Sequence, residues 1–419
     1  MSLIRPFAGL RPAANFADAV VAPPYDVLSS SEARQQAAGK PWSFLHVSKA
    51  EIDLPESTDP FDDSVYAKSK ENFGRMLAEG VLVQDDSPLY YVYRLQMGEH
   101  VQTGIAAAAS VDAYDADRIK KHEFTRPAKE DDRVRQIEAL SAQTGPVFLV
   151  YRANAVVDGI LADVARHAPD MDVRADSGVQ HTLWVVRDQK QINTITAVFD
   201  EMDALYVADG HHRSAAASRV AAARKAKNPG HNGEEAYNYF LSVIFPHDQM
   251  YILDYNRVVT DLNGLDVNAL LARVAESFDV EIADDPVHPE RAGSFGMYLA
   301  GSWYALAIHD ELIPQHDPVA RLDVSLLADH LIEPLLGISD PRRDSRIDFV
   351  GGIRGLSELE KRVDSGEMAV AFSMFPTSMD DLMAVADSGN VMPPKSTWFE
   401  PKLADGVVSQ LLEARASGD

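Results

Sequence analysis

The sequence predicts a mixed α/β fold (α/β, α+β mixed), and three observations predict it. Short runs rich in aromatic and β-branched residues recur at strand length, segments with helical apolar spacing lie between them, and glycine or proline marks many junctions. The 419 residues are 46% hydrophobic and 25% charged, enough apolar material for the cores of two or three domains.

The first clear helical pattern, VYAKSKENFGRMLAEG (65–80), sets Val65, Ser69, Phe73, Met76 and Leu77 on one side and ends in a glycine suited to a helix C-terminus. Strands are expected at LYYVYRLQ (89–96), VFLVYR (147–152), TLWVVRD (182–188), YILDYNRVV (251–259) and WYALAIHD (303–310). LNGLDVNALLARVAESF (262–278) and VSQLLEARA (408–416) read as helices. The alanine run Ala106–Ala109 and the alanine-rich stretch after His212 read as small residues packed closely. A polar, proline-bearing stretch, DDPVHPERAG (284–293), lies in a connection that reads as a seam. Two parts are therefore expected, an N-terminal α/β part over 1–260 and a C-terminal α/β part over 261–419.

Charge and cysteine content exclude several functions. The net charge of −25, from 64 acidic and 39 basic residues, repels nucleic-acid backbones and anionic membrane surfaces, so neither is expected as a partner. A local cluster can still be positive, and Arg118, Lys120, Lys121, Arg126, Lys129, Arg133 and Arg135 form one. The absence of cysteine removes disulfides, thiolate nucleophiles and zinc–thiolate sites. No stretch approaches the roughly 18 apolar residues of a membrane span, and the expected location is cytoplasmic.

The richest local chemistry is in LYVADGHHRSAAA (205–217), where a short apolar run meets an Asp-Gly turn and then a helical pattern that runs to Asn228-Pro229. Gly210 suits a left-handed turn, and Asp209 is placed to cap the helix. Backbone N–H groups of the first helical turn lack partners within the helix, so Gly210, His211 and Arg213 outline a phosphate cradle. Successive helical residues point about 100° apart, which disfavours joint metal chelation by His211 and His212. The plainer alternative is a cap with two structural histidines.

Three other stretches are candidates. KKHEFTRPAKEDDRVRQIEA (120–139) begins a charged helix that continues through Ile137 and Leu140; His122, Glu123, Thr125 and Arg126 also offer a base and an anion clamp within five residues. VMPPKSTWFEPK (391–402) carries Lys395, Ser396 and Thr397 behind two prolines, but lacks the glycines of a phosphate-binding P-loop. VVAPPYDVLS (20–29) presents Tyr25 and Asp26 after a proline pair, which otherwise reads as a rigid turn leading into a strand.

Taken together, APPYDV (22–27), HEFT (122–125) with EDDR (130–133), DGHHR (209–213), LLADHLIEPLLGI (326–338) and MPPKSTWFEPKL (392–403) resemble the bacterial and archaeal domain-of-unknown-function 1015 family. The resemblance runs from near residue 5 to about 408. It implies a nucleotide-binding core like that of the ParB and sulfiredoxin superfamily, with an additional α/β C-terminal part. It also implies similarity to free L-serine kinases, with ATP or ADP and Mg²⁺ as cofactors and L-serine as the small-molecule substrate. Sulfiredoxin chemistry is removed by the missing cysteine. On this reading Glu123 is the first candidate for the base and Asp26 the second, Asp209 binds metal or orients the acceptor, and His122 and His212 position oxygen atoms. Gly210, His211, Arg213, Arg126, Arg133, Lys395, Ser396 and Thr397 would bind the nucleotide. A nucleotide-binding regulatory protein without turnover is the alternative.

Overall fold

The computed structural model describes residues 2–413 and interleaves helices and strands along the chain, a mixed α/β fold. By compactness the chain divides into two units, one formed by residues up to Met250 together with those from Pro401 onward, the other by Tyr251–Glu400.

The first unit is built on a nine-stranded sheet. Its strands follow the order Ile119–Lys120, Leu205–Asp209, Val147–Tyr151, Tyr239–Pro246, His100–Ser110, Tyr90–Met97, Gln180–Val186 and Met171–Arg174, and Ile4–Arg5 also pairs with His100–Ser110. Most pairings are antiparallel. Ile119–Lys120 beside Leu205–Asp209 and Val147–Tyr151 beside Tyr239–Pro246 are parallel. The sheet's apolar residues join those of the helices Ala155–Val164, Gln189–Glu201 and His211–Lys227 in one core, which contains Val92, Ile105, Leu149, Val207, Phe199 and Ala217. Residues as completely enclosed as Val207 and Leu149 each stabilise the fold by about 1.5–3 kcal/mol. Ala106–Ala109 lie fully buried within the sheet, all paired with Phe240–Val243 on one side, and on the other Ala106 with Tyr91, Ala108 with Arg5 and Ala109 with Ile4. The expected helix at 65–80 is Asp63–Ala78, which buries Val65, Ser69, Phe73 and Met76.

A smaller four-stranded sheet joins Leu82–Gln84, Gly9–Pro12, Ser409–Leu411 and Ala142–Gln143 in that order. It corrects the helix expected at 408–416. Gly9 and Leu10 pair with Gln410 and Ser409, Gln143 pairs with Gln410, and the Leu412 N–H donates to Ser141 O. Pairing with distant strands overrides the helical propensity of Leu411 and Leu412. Residues 414–416 of that pattern lie outside the described residues.

The second unit contains a six-stranded antiparallel sheet in the order Phe278–Ala283, Ser302–Ile308, Ser294–Leu299, Val370–Met374, Tyr255–Val259 and Ile347–Gly351. Residues 284–293 connect two of its strands. The helix expected over 262–278 is confined to Val267–Val274. Asn263 and Gly264 have φ of 54° and 78°, Asp266 caps through the Ala269 N–H, and Phe278 already begins a strand.

Candidate functional site

Leu205–Asp209 is the strand that brings chemistry to the sheet edge. Its apolar residues are buried, and its pairing with Val147–Tyr151 shifts register between Val207 and Asp209. Such an irregularity bends a strand and re-aims the residue that follows. Gly210 then turns the chain with φ +92°, a left-handed conformation that side chains disfavour, and the helix His211–Lys227 starts at once. A Cβ on Gly210 would lie 3.4 Å from both Val147 Cα and Arg213 Nη1, so the backbone approach is close as well.

Asp209 does not cap this helix as expected. The N-cap is Gly210, without a side-chain cap bond, and Asp209 Oδ1 accepts instead from the Gly210 N–H at 2.7 Å. The left-handed turn swings the carboxylate out of reach of the second and third helical N–H groups. The Arg213 and Ser214 N–H groups both donate to Gly210 O, while those of His211 and His212 have no carbonyl behind them in the helix. Asp209 Oδ2 lies 3.3 Å from Lys402 Nζ. Burial opposes ionisation of Asp209, but Lys402 first and then Arg213 outweigh it and hold the carboxyl well below the usual range.

Parallel pairing of Ile119–Lys120 with Leu205–Tyr206 carries the next residues, His122 and Glu123, toward the same turn. The His122 and His211 rings meet edge to face, with centroids 4.5 Å apart. Both are almost fully buried, at 3% and 4% exposed, and each has a buried nitrogen without a hydrogen-bond partner, Nδ1 of His122 and Nε2 of His211. Burial lowers the His122 pKa to about 4 and, with the neighbouring His122, pushes that of His211 well down. Both imidazoles are therefore neutral near pH 7. Glu123 Oε2 stands 3.7 Å from His211 Nδ1, with the Glu123 side chain 56% exposed. His212 is half-buried, and its pKa is lowered by burial and by Lys129.

Arg213 turns inward. Its guanidinium donates to Pro146 O and, at 2.8 Å, to Asp26 Oδ2, and its buried Nε lacks a partner. The loop 22–29 that supplies Asp26 also places the Tyr25 ring near two guanidinium groups, Arg133 at 3.8 Å and Arg213 at 5.6 Å from its centre. Arg133 in turn donates to Asp132 through Nε and Nη2. Tyr25, Arg133 and Arg213 line a cavity of about 30 Å³ with Gln136, Thr144 and Asp405, room for a water molecule. Asp405 is 2% exposed; burial and Asp26 push its carboxyl up to about 7 against the pull of Arg213 and Arg133.

The structure thus gathers Asp26, Arg133, Asp209, Gly210, His211, Arg213, His122 and Glu123 within the first unit. Arg126 is exposed at the start of the helix Pro127–Leu140, without a side-chain cap bond. Lys395, Ser396 and Thr397 belong to the second unit. There Lys395 has φ +59° and its ammonium lies 5.3 Å from the Tyr255 ring, Ser396 Oγ donates to Pro393 O at 2.6 Å, and Thr397 is partly buried. Among the described residues no group of three or more His, Asp or Glu side chains is arranged to hold a metal ion by itself. Sequence reasoning missed Lys402 and Asp405. The signal within PKLADG (401–406) is two isolated charges in an otherwise apolar run.

Residues 4–325 match the family described as "Protein of unknown function (DUF1015)". The chain belongs to this family. No curated protein matches it. Among solved structures it is similar to a free serine kinase in complex with AMP, at 14% identity and TM-score 0.33, covering 70% of this chain and 86% of that one. A conserved hypothetical protein from Pyrococcus furiosus is similar at 15% identity and TM-score 0.34, covering 72% and 93%. SbnI with a C-terminal truncation, from Staphylococcus aureus, is similar at 12% identity and TM-score 0.35, covering 73% and 81%. Likeness this slight carries no argument about chemistry. No helix among the described residues is long and apolar enough to cross a membrane.

Proposed function

We propose that this member of the family is a small-molecule kinase that moves a phosphoryl group from ATP or ADP to the hydroxyl of free L-serine, giving O-phosphoserine. The observation that supports it is the convergence, around one helix start, of an ionised Asp209, the first-turn N–H groups of His211 and His212, which have no carbonyl behind them in the helix, and Glu123 beside a neutral His211. The sequence resemblance to free serine kinases supports the choice of acceptor.

In this reading the nucleotide phosphates lie against the N–H groups after Gly210. The serine hydroxyl oxygen attacks the terminal phosphorus, the bond from that phosphorus to the nucleotide oxygen breaks, and the hydroxyl proton passes to Glu123. Glu123 suits a base because it is more than half exposed and reaches the turn from a loop. The neutral imidazoles of His122 and His211 wall the site without adding charge. Arg213 and Arg133 act from behind it, holding Asp26 and Tyr25. A magnesium ion, when bound with the nucleotide, neutralises phosphate charge. Asp209 fits as its protein ligand, since such ions take one or two carboxylates and complete their shell with phosphate oxygens and water.

The test is incubation of the purified chain with L-serine, Mg²⁺ and either nucleotide, followed by detection of phosphoserine; no product with either donor sinks the proposal. Glu123→Gln is expected to lower kcat about 10²- to 10⁴-fold while nucleotide affinity changes less than about 3-fold. Equal losses in rate and affinity would instead make Glu123 a binding residue.

A further inference from the structure

Lys402 approaches Asp209 from 193 residues away, at 3.3 Å. Its backbone is fixed on the C-terminal side, where Ala22 and Asp405 exchange both backbone hydrogen bonds, the Ala404 N–H donates to Tyr93 Oη, and Leu403, Ala404 and Asp405 are buried. The side chain is different. Lys402 is 24% exposed and Asp209 34% exposed, so solvent and ligands reach the pair. The nearby Arg213 side chain is only 9% exposed and donates to Asp26 and Pro146.

We infer that Lys402 contacts the phosphate beyond the α position of the bound nucleotide, supplying the mobile positive charge of this site. The inference rests on the phosphotransferase reading above. A lysine ammonium is a point charge with three rotatable donors on a flexible four-carbon stem. It can pass from an Asp209 oxygen to a phosphate oxygen over the same turn while its anchored backbone stays in place. Arg213 has no such freedom, because moving its guanidinium would strand Asp26 and the Pro146 carbonyl. The carboxylate of Asp209 in turn keeps the ammonium at the mouth of the turn before ligand arrives.

The experiment titrates AMP, ADP and a non-hydrolysable ATP analogue into the full-length wild-type chain, Lys402→Met and Lys402→Arg, by calorimetry. Thermal unfolding serves as the control for folding, and Lys402→Gln stands in if the methionine variant does not fold. Loss of one charge-assisted phosphate contact is expected to weaken ADP and ATP-analogue binding about 10- to 100-fold in Lys402→Met. AMP binding should stay within about 2-fold, and Lys402→Arg should recover much of the loss. Unchanged affinity for all three ligands, or an equal fall for AMP, overturns the role of Lys402 and leaves the phosphotransferase reading standing. A wild-type chain that binds none of the three overturns both.

Discussion

Asp405→Asn isolates the electrostatics beneath the site. The carboxyl is 2% exposed and faces Arg213, Arg133, Asp26 and Ser48, and burial is the largest influence on it, lifting its pKa from the usual 3.8 to about 7. A group whose folded pKa is raised contributes stability that is fully present below the unfolded value and is lost as pH rises through the folded one. Between pH 4 and 7 the folded chain therefore holds one proton more than the unfolded chain at this position, and wild-type stability falls by ~1.4 kcal/mol per pH unit from this group. Asparagine has nearly the same shape and no charge to desolvate. The variant should match the wild type near pH 4 and exceed it by up to ~4 kcal/mol at pH 8. Urea denaturation at pH 4, 5, 6, 7 and 8, with the difference between the two proteins plotted against pH, measures this. A flat difference refutes the raised pKa. A variant less stable than wild type at pH 8 would mean that Asp405 is ionised and needed as the counter-charge of Arg213.

The same linkage applies in the second unit to Asp323, whose Oδ1 accepts from the Gly293 N–H at 2.8 Å while its buried Oδ2 has no partner, and whose carboxyl burial pushes up to about 7. Asp323→Asn should gain on wild type as pH rises from 4 to 7, by up to ~4 kcal/mol, and an equal Tm for both proteins at pH 8 contradicts this. Gly406 has φ +82°, and a Cβ there would lie 2.9 Å from Phe44 Cδ2. Gly406→Ala is accordingly expected to cost about 1–3 kcal/mol, read as a lower denaturation midpoint, and an unchanged midpoint would show that the segment after Pro401 shifts without penalty.

Local signals made much of the central motif legible. The apolar run ending at Val207, the glycine at 210 and the helix formers from His211 to Lys227 occur in the order in which strand, left-handed turn and helix follow, and Asn228-Pro229 marks the end. These features depend on neighbours in sequence, where propensity and turn chemistry act. Asp209 was misread because its capping role depends on the direction in which the turn releases its side chain, which the residue type does not encode. The strand at Ser409–Leu411 and the arrival of Lys402 and Asp405 were illegible for a related reason. They are set by pairing with Gly9, Ala22 and Gln143, hundreds of residues earlier, and nothing local distinguishes VSQLL from a helical run.

A chain of net charge −25 is a poor host for a polyanion unless the charge around its site is arranged otherwise. Around the turn the partly or fully buried ions balance: Lys402 stands against Asp209, Arg213 against Asp26 and Arg133 against Asp132. Burial keeps His122 and His211 neutral and raises Asp405 toward neutrality, while Glu123, Lys121, Lys129 and Glu130 add charges of both signs at the rim. Since electrostatic influence between exposed charges fades over about 8 Å at physiological ionic strength, the distant surplus of acids is screened while this local balance is felt in full. Only one of the three pairs, Lys402 with Asp209, is exposed enough on both sides to exchange its partner for a ligand. The acidic surface and an anion-binding turn are thus compatible even though the desolvated histidines carry no charge. A substitution that lets water reach His122 or His211 should make nucleotide affinity rise as pH falls through the recovered imidazole pKa, near 6.5 when unperturbed.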